Sequence, residues 1–383
     1  MKKVVIIGAG QTGRGYIGRI SAEKKYEIIF IDRNQDLINV LNEDRRFTVH
    51  FYDKDRTPVI VSNYSALYDS DGKVIHAIQE ADFIFTAVGE QNLFSVAKML
   101  KAGLLNKGKS TKIVTCENGI NPARVLKDHL EQLEFQAQEN IFISQTAVFC
   151  STVNLLETRL DILSQNENYF PYDSDALPDS LEINGAVPIH DFEKFLKRKI
   201  YTYNCLAGII SYFGYLKGYS VYGEAANDEE ISDLMNELLE ELNAALAKYF
   251  EINLEEQVAF SKKALKKFKN KKILDYIIKN GRAAKRKLGP TERIIAPLRI
   301  IEENHGNADI LYFNAAAALC YWEELAGNGS ETVISGDIME ELRIILQSSK
   351  EDPLIKKIEF YLRMIRESRD TLNIKAIIHS YQA

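Results

Sequence analysis

The first residues with the types and spacing for chemistry are Gly8-Ala9-Gly10-Gln11-Thr12-Gly13, set between an apolar run and a helical stretch. Here Gly8 makes a tight turn, Gly10 admits a pyrophosphate against bare backbone, and Gly13 lets helix and strand approach closely. Gln11 and Thr12 open the helix, whose free N–H groups and partial positive charge face the phosphates. A second apolar run ends at Asp32, 19 residues past Gly13, where a carboxylate accepts hydrogen bonds from ribose hydroxyls. That charge repels a 2′-phosphate, so NAD is expected over NADP, although the adjacent Arg33 would tolerate one. Thr86-Ala87-Val88-Gly89 closes another strand at the height where such folds hold their cofactor, which adds Ala87, Val88 and Gly89.

The elements that must carry this loop alternate in type over the first 150 residues. Strands are expected at Lys3–Ile7, Glu27–Ile31, Phe47–Phe51, Phe83–Ala87, Lys112–Thr115 and Ile141–Thr146, with helices at Arg14–Glu23, Gln35–Leu41, Leu93–Leu104 and Pro122–Leu133. That alternation predicts an α/β architecture, a Rossmann-type doubly wound parallel sheet. Periodicity fails over Gln165–Ser180, which reads as a loop and domain junction. Beyond it the chain is expected to be mostly α-helical, with long 3.6-period stretches at Phe192–Leu216, Asp228–Tyr249, Leu254–Phe268, Ile310–Leu325 and Leu354–Glu367. The expected division is an NAD-binding domain over 1–185 and a helical catalytic domain over 186–383.

Composition narrows the setting. A length of 383 residues favours two domains, and the net charge of −6 argues against nucleic-acid binding. Cys116, Cys150, Cys205 and Cys320 form no CxxC pair, which fits a reducing compartment. A strand begins almost at the first methionine, so no signal peptide is expected, and no apolar run approaches membrane-spanning length. The expected location is cytoplasmic, away from membranes, as a monomer or homodimer. None of the six histidines has metal-ligand spacing, so no metal is expected. The span 262–287 carries twelve Lys or Arg against the single acid Asp275. Either it is a solvated helix face or it is an anion site, since a sugar phosphate needs a fixed cationic partner.

Several stretches together give the chain a family resemblance. GAGQTGRGYIG (8–18), TAVG (86–89), CEN (116–118), RKIYTYN (198–204), GR (281–282), RKL (286–288) and ERIIAPL (292–298) resemble the polyol-specific long-chain dehydrogenases of the mannitol dehydrogenase family, most closely the mannitol-1-phosphate 5-dehydrogenases. The resemblance implies NAD-linked interconversion of a polyol phosphate and a ketose phosphate. It also implies a catalytic lysine, an asparagine five residues later and a histidine three residues after that. Lys199 and Asn204 match the first two positions, while Ala207 stands at the third. Phe149-Cys150 likewise stands where the family carries an Asp-Arg pair.

Lys199 is thus the expected acid/base, because a desolvated lysine can be tuned toward neutral pKa and serve both directions of hydride transfer. Asn204 and Asn118 would hydrogen-bond the substrate oxygen, Glu117 would lie at the cofactor, and Arg282 and Arg286 would contact the substrate. On a regular helix five residues put Lys199 and Asn204 roughly 140° apart. Tyr203, four residues after Lys199, would instead share its face and replace the hydrogen bond of the missing histidine. That bond is worth about 1.5–3 kcal/mol, whereas losing the acid/base costs roughly 10²–10⁴-fold. The alternatives are a dehydrogenase of an unphosphorylated polyol or sugar acid, or a non-catalytic NAD-binding regulatory protein.

Overall fold

Val4-Val5-Ile6-Ile7 is apolar on both faces, which suits a strand covered by helices above and below. In the computed structural model, which describes residues 1–105, 107–136, 138–326, 331–334 and 336–381, this run is the centre of a six-stranded sheet. The strands are β1 (Lys3–Ile7), β2 (Glu27–Asp32), β3 (Phe47–Phe51), β4 (Val59–Val61), β5 (Tyr64–Tyr68), β6 (Phe83–Thr86), β7 (Thr111–Thr115) and β8 (Ile141–Gln145), followed by β9 (Thr152–Asn154), β10 (Ile162–Ser164), β11 (Phe170–Asp173) and β12 (Ala186–Ile189). The main sheet runs β5-β2-β1-β6-β7-β8, with every pair parallel. Val4 and Ile6 point into one core and Val5 and Ile7 into the other. The order reverses between β1 and β6, and such a switch point opens a crevice at the carboxyl ends of the strands.

Two expectations about this sheet are corrected. Phe47–Phe51 leaves the parallel sheet and joins a second, mixed one of order β4-β3-β10-β9. Its burial alternates, with Phe47, Val49 and Phe51 inward, the pattern of a sheet covered on one face. The edge position beside β2 goes to Tyr64–Tyr68 instead. The expected loop over Gln165–Ser180 contains β11, which pairs in parallel with β12. Phe170 anchors it, its ring 5.8 Å from Tyr16 and 5.9 Å from Phe85.

The chain forms two compact units, Met1–Leu196 and Lys197–Ala383. The division falls within the helix Phe192–Lys199 rather than at the expected 185/186 junction, because β12 pairs with β11 and so belongs to the first unit. The second unit is helical. Cys205–Leu216 and Asp309–Leu325 are buried almost throughout, as helices apolar on every side must be. Glu229–Tyr249 and Pro353–Glu367 bury only one stripe each; their N-termini are capped by Asp228 and Asp352 side chains, which accept from Ile231 and Leu354 backbone N–H groups. No helix among the described residues is long and apolar enough to cross a membrane.

Besides Gly13–Gly18 behind the glycine loop, which is π-helical, one further segment is wound this way. Ile200–Asn204, between Phe192–Lys199 and Cys205–Leu216, is a π-helical turn. A turn closing on i+5 costs hydrogen-bond quality and needs outside support. The fully buried Gln257 supplies it. Its amide donates to Thr202 Oγ1 (3.0 Å) and Asn243 Oδ1 (3.4 Å), and its carbonyl accepts from Arg198 Nε at 2.8 Å. Arg198 also donates to Glu256 and lies 4.5 Å from the Phe260 ring. Replacing Gln257 by Leu strands three buried polar groups, and a stability loss of about 1–3 kcal/mol is expected. In urea denaturation the midpoint should fall with little change in slope. An unchanged midpoint would show that the turn does not depend on this amide.

Candidate functional site

In the first unit the glycine loop is built by close contacts. Gly8 has φ +101°, and a Cβ there would lie 2.5 Å from the Ala87 carbonyl oxygen. A Cβ on Gly13 would meet the Gly8 carbonyl oxygen at 1.9 Å, so only glycine allows the helix to start this near the turn. A Cβ on Gly10 would have nothing within 4 Å, which leaves the backbone there open to a ligand. The Ala9 N–H donates to Asp32 at 2.7 Å, and the Asn34 N–H donates to its other oxygen at 2.9 Å. The Asp32 carboxylate is thereby fixed at the end of β2.

Two buried charges brace this region. Arg14 donates to the Ala9 carbonyl and, at 3.0 Å, to Asn154 of β9. Burial pulls its pKa down to about 10, with Asp32 opposing the shift. Glu117 accepts from Thr86 Oγ1 at 2.7 Å and from the Val88 N–H at 3.1 Å. Burial raises its pKa, and those hydrogen bonds hold the rise back. Glu117 is thus spent on shaping the Thr86–Gly89 turn, a different task from the expected cofactor contact.

A cavity of about 260 Å³ opens over these residues, lined by Gly8, Gly10, Asp32, Arg33, Ala87 and Val88 among others. Gln11 and Thr12 begin the adjoining helix, Gly13 packs beneath it, and Gly89 turns the chain with φ +85°. Asn118 is exposed just past β7. The cavity also recruits Asp69, Asn92, Ser95 and Met99, which sequence reasoning misses. Asp69 follows the unforeseen edge strand β5, so that strand assignment is the signal needed to find it.

In the second unit, Lys199 ends its helix 7% exposed. Its pKa is lowered to about 7, first by burial and then by the positive charges of Arg293 and Lys267, with Glu292 partly offsetting them. The π turn corrects the expected geometry. A turn that closes on i+5 narrows the roughly 140° that a regular helix would put between Lys199 and Asn204, so Asn204 comes round toward the Lys199 side. Tyr203 is buried, its ring 4.9 Å from Phe260 and 6.1 Å from Phe268. Tyr201 packs similarly against Phe250 and Tyr249.

The basic span divides between solvent and this site. Lys262, Lys263 and Lys266 are exposed, whereas Lys287 is 6% exposed. Its pKa drops to about 6 through burial and the neighbouring charges of Arg293 and Arg286, and its amine donates to the Asn280 carbonyl. Arg293 is also interior, its pKa lowered by burial against the pull of Glu292. Glu292 accepts from Arg293 Nε at 3.2 Å and from Arg286. Arg282 and Arg286 are exposed neighbours of this cluster on the 281–288 segment. Sequence reasoning singles out neither Lys287 nor Arg293, although both sit in the RKL and ERIIAPL stretches.

The departures from the family pattern are accommodated by packing. Phe149 and Cys150 turn inward, with Phe149 5.5 Å from the Tyr169 ring and Cys150 Sγ 3.3 Å from Ser164 Oγ. Ala207 is partly exposed on its helix, where its carbonyl accepts from Ser211 at 2.7 Å.

Comparison with known proteins agrees with this architecture. Residues 2–154 match the mannitol dehydrogenase Rossmann domain and residues 191–383 match the mannitol dehydrogenase C-terminal domain. The chain is 28% identical to a mannitol-1-phosphate 5-dehydrogenase of Caldanaerobacter subterraneus subsp. tengcongensis, covering 94% of this chain and 97% of that one. It is 30% identical to the same-named protein of Thermoanaerobacter pseudethanolicus, over 84% of this chain and 86% of the relative. In structure it resembles Pseudomonas fluorescens mannitol 2-dehydrogenase, solved as a ternary complex with NAD and D-mannitol. The TM-score is 0.74 at 13% identity, over 99% of this chain and 94% of that chain. With both halves matched in order and a relative at this identity along most of its length, the chain belongs to the mannitol dehydrogenase family.

Proposed function

We propose that this chain is an NAD(H)-dependent oxidoreductase that interconverts a polyol phosphate and a ketose phosphate, with Lys199 as general acid/base. The observation that carries the reading is a lysine amine buried near Arg293 and Lys267; those surroundings lower its pKa to about 7, where one group can both donate and accept a proton near neutrality. The first unit supports a dinucleotide there: Gly10 leaves backbone open where a pyrophosphate would lie, backbone N–H groups hold the Asp32 carboxylate where ribose hydroxyls would donate to it, and the helix beginning at Gln11 would face the phosphates. NAD held there would supply the acceptor for the alcohol's hydride, and NADH the hydride for the ketone.

The chain's own residues handle the proton and the charge. In oxidation the neutral Lys199 amine takes the hydroxyl proton as the C–H bond gives up its hydride; in reduction the ammonium protonates the new alkoxide. Asn204, from the adjoining π turn, donates a hydrogen bond to the substrate oxygen, and we assign Asn118 the same role. Tyr203 is proposed as a secondary donor in place of the family's histidine. Arg293, joined by Arg282 and Arg286, supplies positive charge for a phosphate, and Lys287 beside them would gain a proton as the anion approaches. The names of the relatives, mannitol-1-phosphate 5-dehydrogenases, support the phosphorylated class, and mannitol 1-phosphate with fructose 6-phosphate is the pair proposed.

NADH oxidation should separate the substrate classes. Fructose 6-phosphate is expected to exceed fructose by at least about 100-fold in kcat/KM, since a charge-assisted phosphate contact is worth about 1.5–3 kcal/mol and several are available. Lys199→Met should reduce turnover by roughly 10²–10⁴-fold. Preference for a free ketose or a keto acid would overturn the phosphate assignment, and near-normal turnover by Lys199→Met would overturn the mechanism.

Lys287 makes a separate prediction about stability. Its folded pKa of about 6 lies below the ordinary 10.5, so between these values the unfolded chain holds a proton that the folded chain has released. Stability contributed this way rises with pH across about 6 to 10.5 and is lost as pH falls toward 6. Lys287→Met should flatten the rise in unfolding midpoint over that window. A slope identical to the parent protein would contradict the buried, neutral amine.

A further inference from the structure

The cofactor cavity contains a carboxylate that the glycine fingerprint does not account for. β5 lies beside β2 with Tyr68 opposite Asp32, so the next residue, Asp69, emerges next to Asp32 at the carboxyl edge of the sheet. The Asp69 N–H donates to the Asp32 carbonyl at 3.2 Å, which fixes the two residues side by side. Both line the cavity. Their carboxylates differ, however, in what they already hold. Asp32 accepts two backbone N–H groups. Among the described residues, no hydrogen bond or ion pair uses the Asp69 carboxylate, although the residue is partly buried and Arg33 lines the same cavity.

The surroundings specify what this group would meet. Val88, Val96 and Met99 provide apolar wall, the surface on which a flat aromatic base stacks. An ionised carboxylate can only accept hydrogen bonds, so its partner must be a donor carried by that base. Adenine offers one, its exocyclic amine.

We propose that Asp69 reads the adenine amine of the dinucleotide and makes this end of the cavity selective for adenine over a base with a carbonyl at that position. Asp32 serves the ribose, and Asp69 serves the base. This deepens the proposed function and rests on the cofactor occupying this cavity.

The test compares NADH with reduced nicotinamide hypoxanthine dinucleotide, which differs by a carbonyl in place of the amine. For the parent protein, KM for the hypoxanthine cofactor is expected to be at least about tenfold higher, the scale of a lost charge-assisted hydrogen bond. Asp69→Ala should raise KM for NADH by a similar factor and bring the two cofactors to near equality. Equal use of both by the parent protein would overturn the proposal whether or not the variant folds, as would an undiminished preference in Asp69→Ala. Direct titration by protein fluorescence separates the two ideas. Binding of both dinucleotides without discrimination removes only the role of Asp69; binding of neither removes the cofactor seat, and the proposal with it.

Discussion

A lysine amine kept out of water and surrounded by fixed positive charge is the constraint on which this molecule turns. Ammonium ions are costly to bury, and Lys199 is buried near the charges of Arg293 and Lys267, which Glu292 offsets only in part. The protein accepts that cost again at Lys287, which stands in similar surroundings. Concentrated charge of one sign is a poor way to stabilise a fold and a good way to prepare for an anion. A bound phosphate would supply the counter-charge that Glu292 provides only in part, and it would raise the pKa of the very amines it approaches.

Much of the surrounding structure exists to hold polar groups still. Gln257, Thr202, Asn243 and Arg198 form an interior network around the π turn, and that turn narrows the angle between residues five apart. In the first unit Arg14 holds the Ala9 carbonyl and Glu117 holds Thr86 and Val88, so both turns that border the cavity are tied down. The absence of the family histidine at Ala207 is consistent with this economy. It removes one hydrogen bond while the amine, its electrostatic setting and the asparagine on the π turn are retained.

The parts legible in the sequence are those governed by local pattern. The glycine loop, Asp32 and five strands of the main sheet follow from spacing and apolar runs, and the long helices follow from their 3.6-residue period. The strand propensity of Phe47–Phe51 suggests the main sheet, and only its alternation marks it for a one-faced one. β11 is hidden by Pro171 and the polar residues around it, since its pairing with β12 is a tertiary event. The π turn has no residue signature in Ile200–Asn204; its support comes from Gln257, more than fifty positions away. Lys287, Arg293 and Asp69 acquire meaning only through burial and neighbours, and a lysine-rich span looks the same in sequence whether it faces water or a substrate.

The most direct test of the desolvated amine is the pH dependence of kcat/KM measured in both reaction directions. Ketose phosphate reduction needs the ammonium and should decline above an ionisation near pH 7, while polyol phosphate oxidation needs the free amine and should decline below the same point, in keeping with a Lys199 pKa of about 7. Mirror-image profiles that meet near neutrality are the expected result. If both directions instead titrate near 10.5, the ordinary lysine value, the amine is solvated and the account of this site fails.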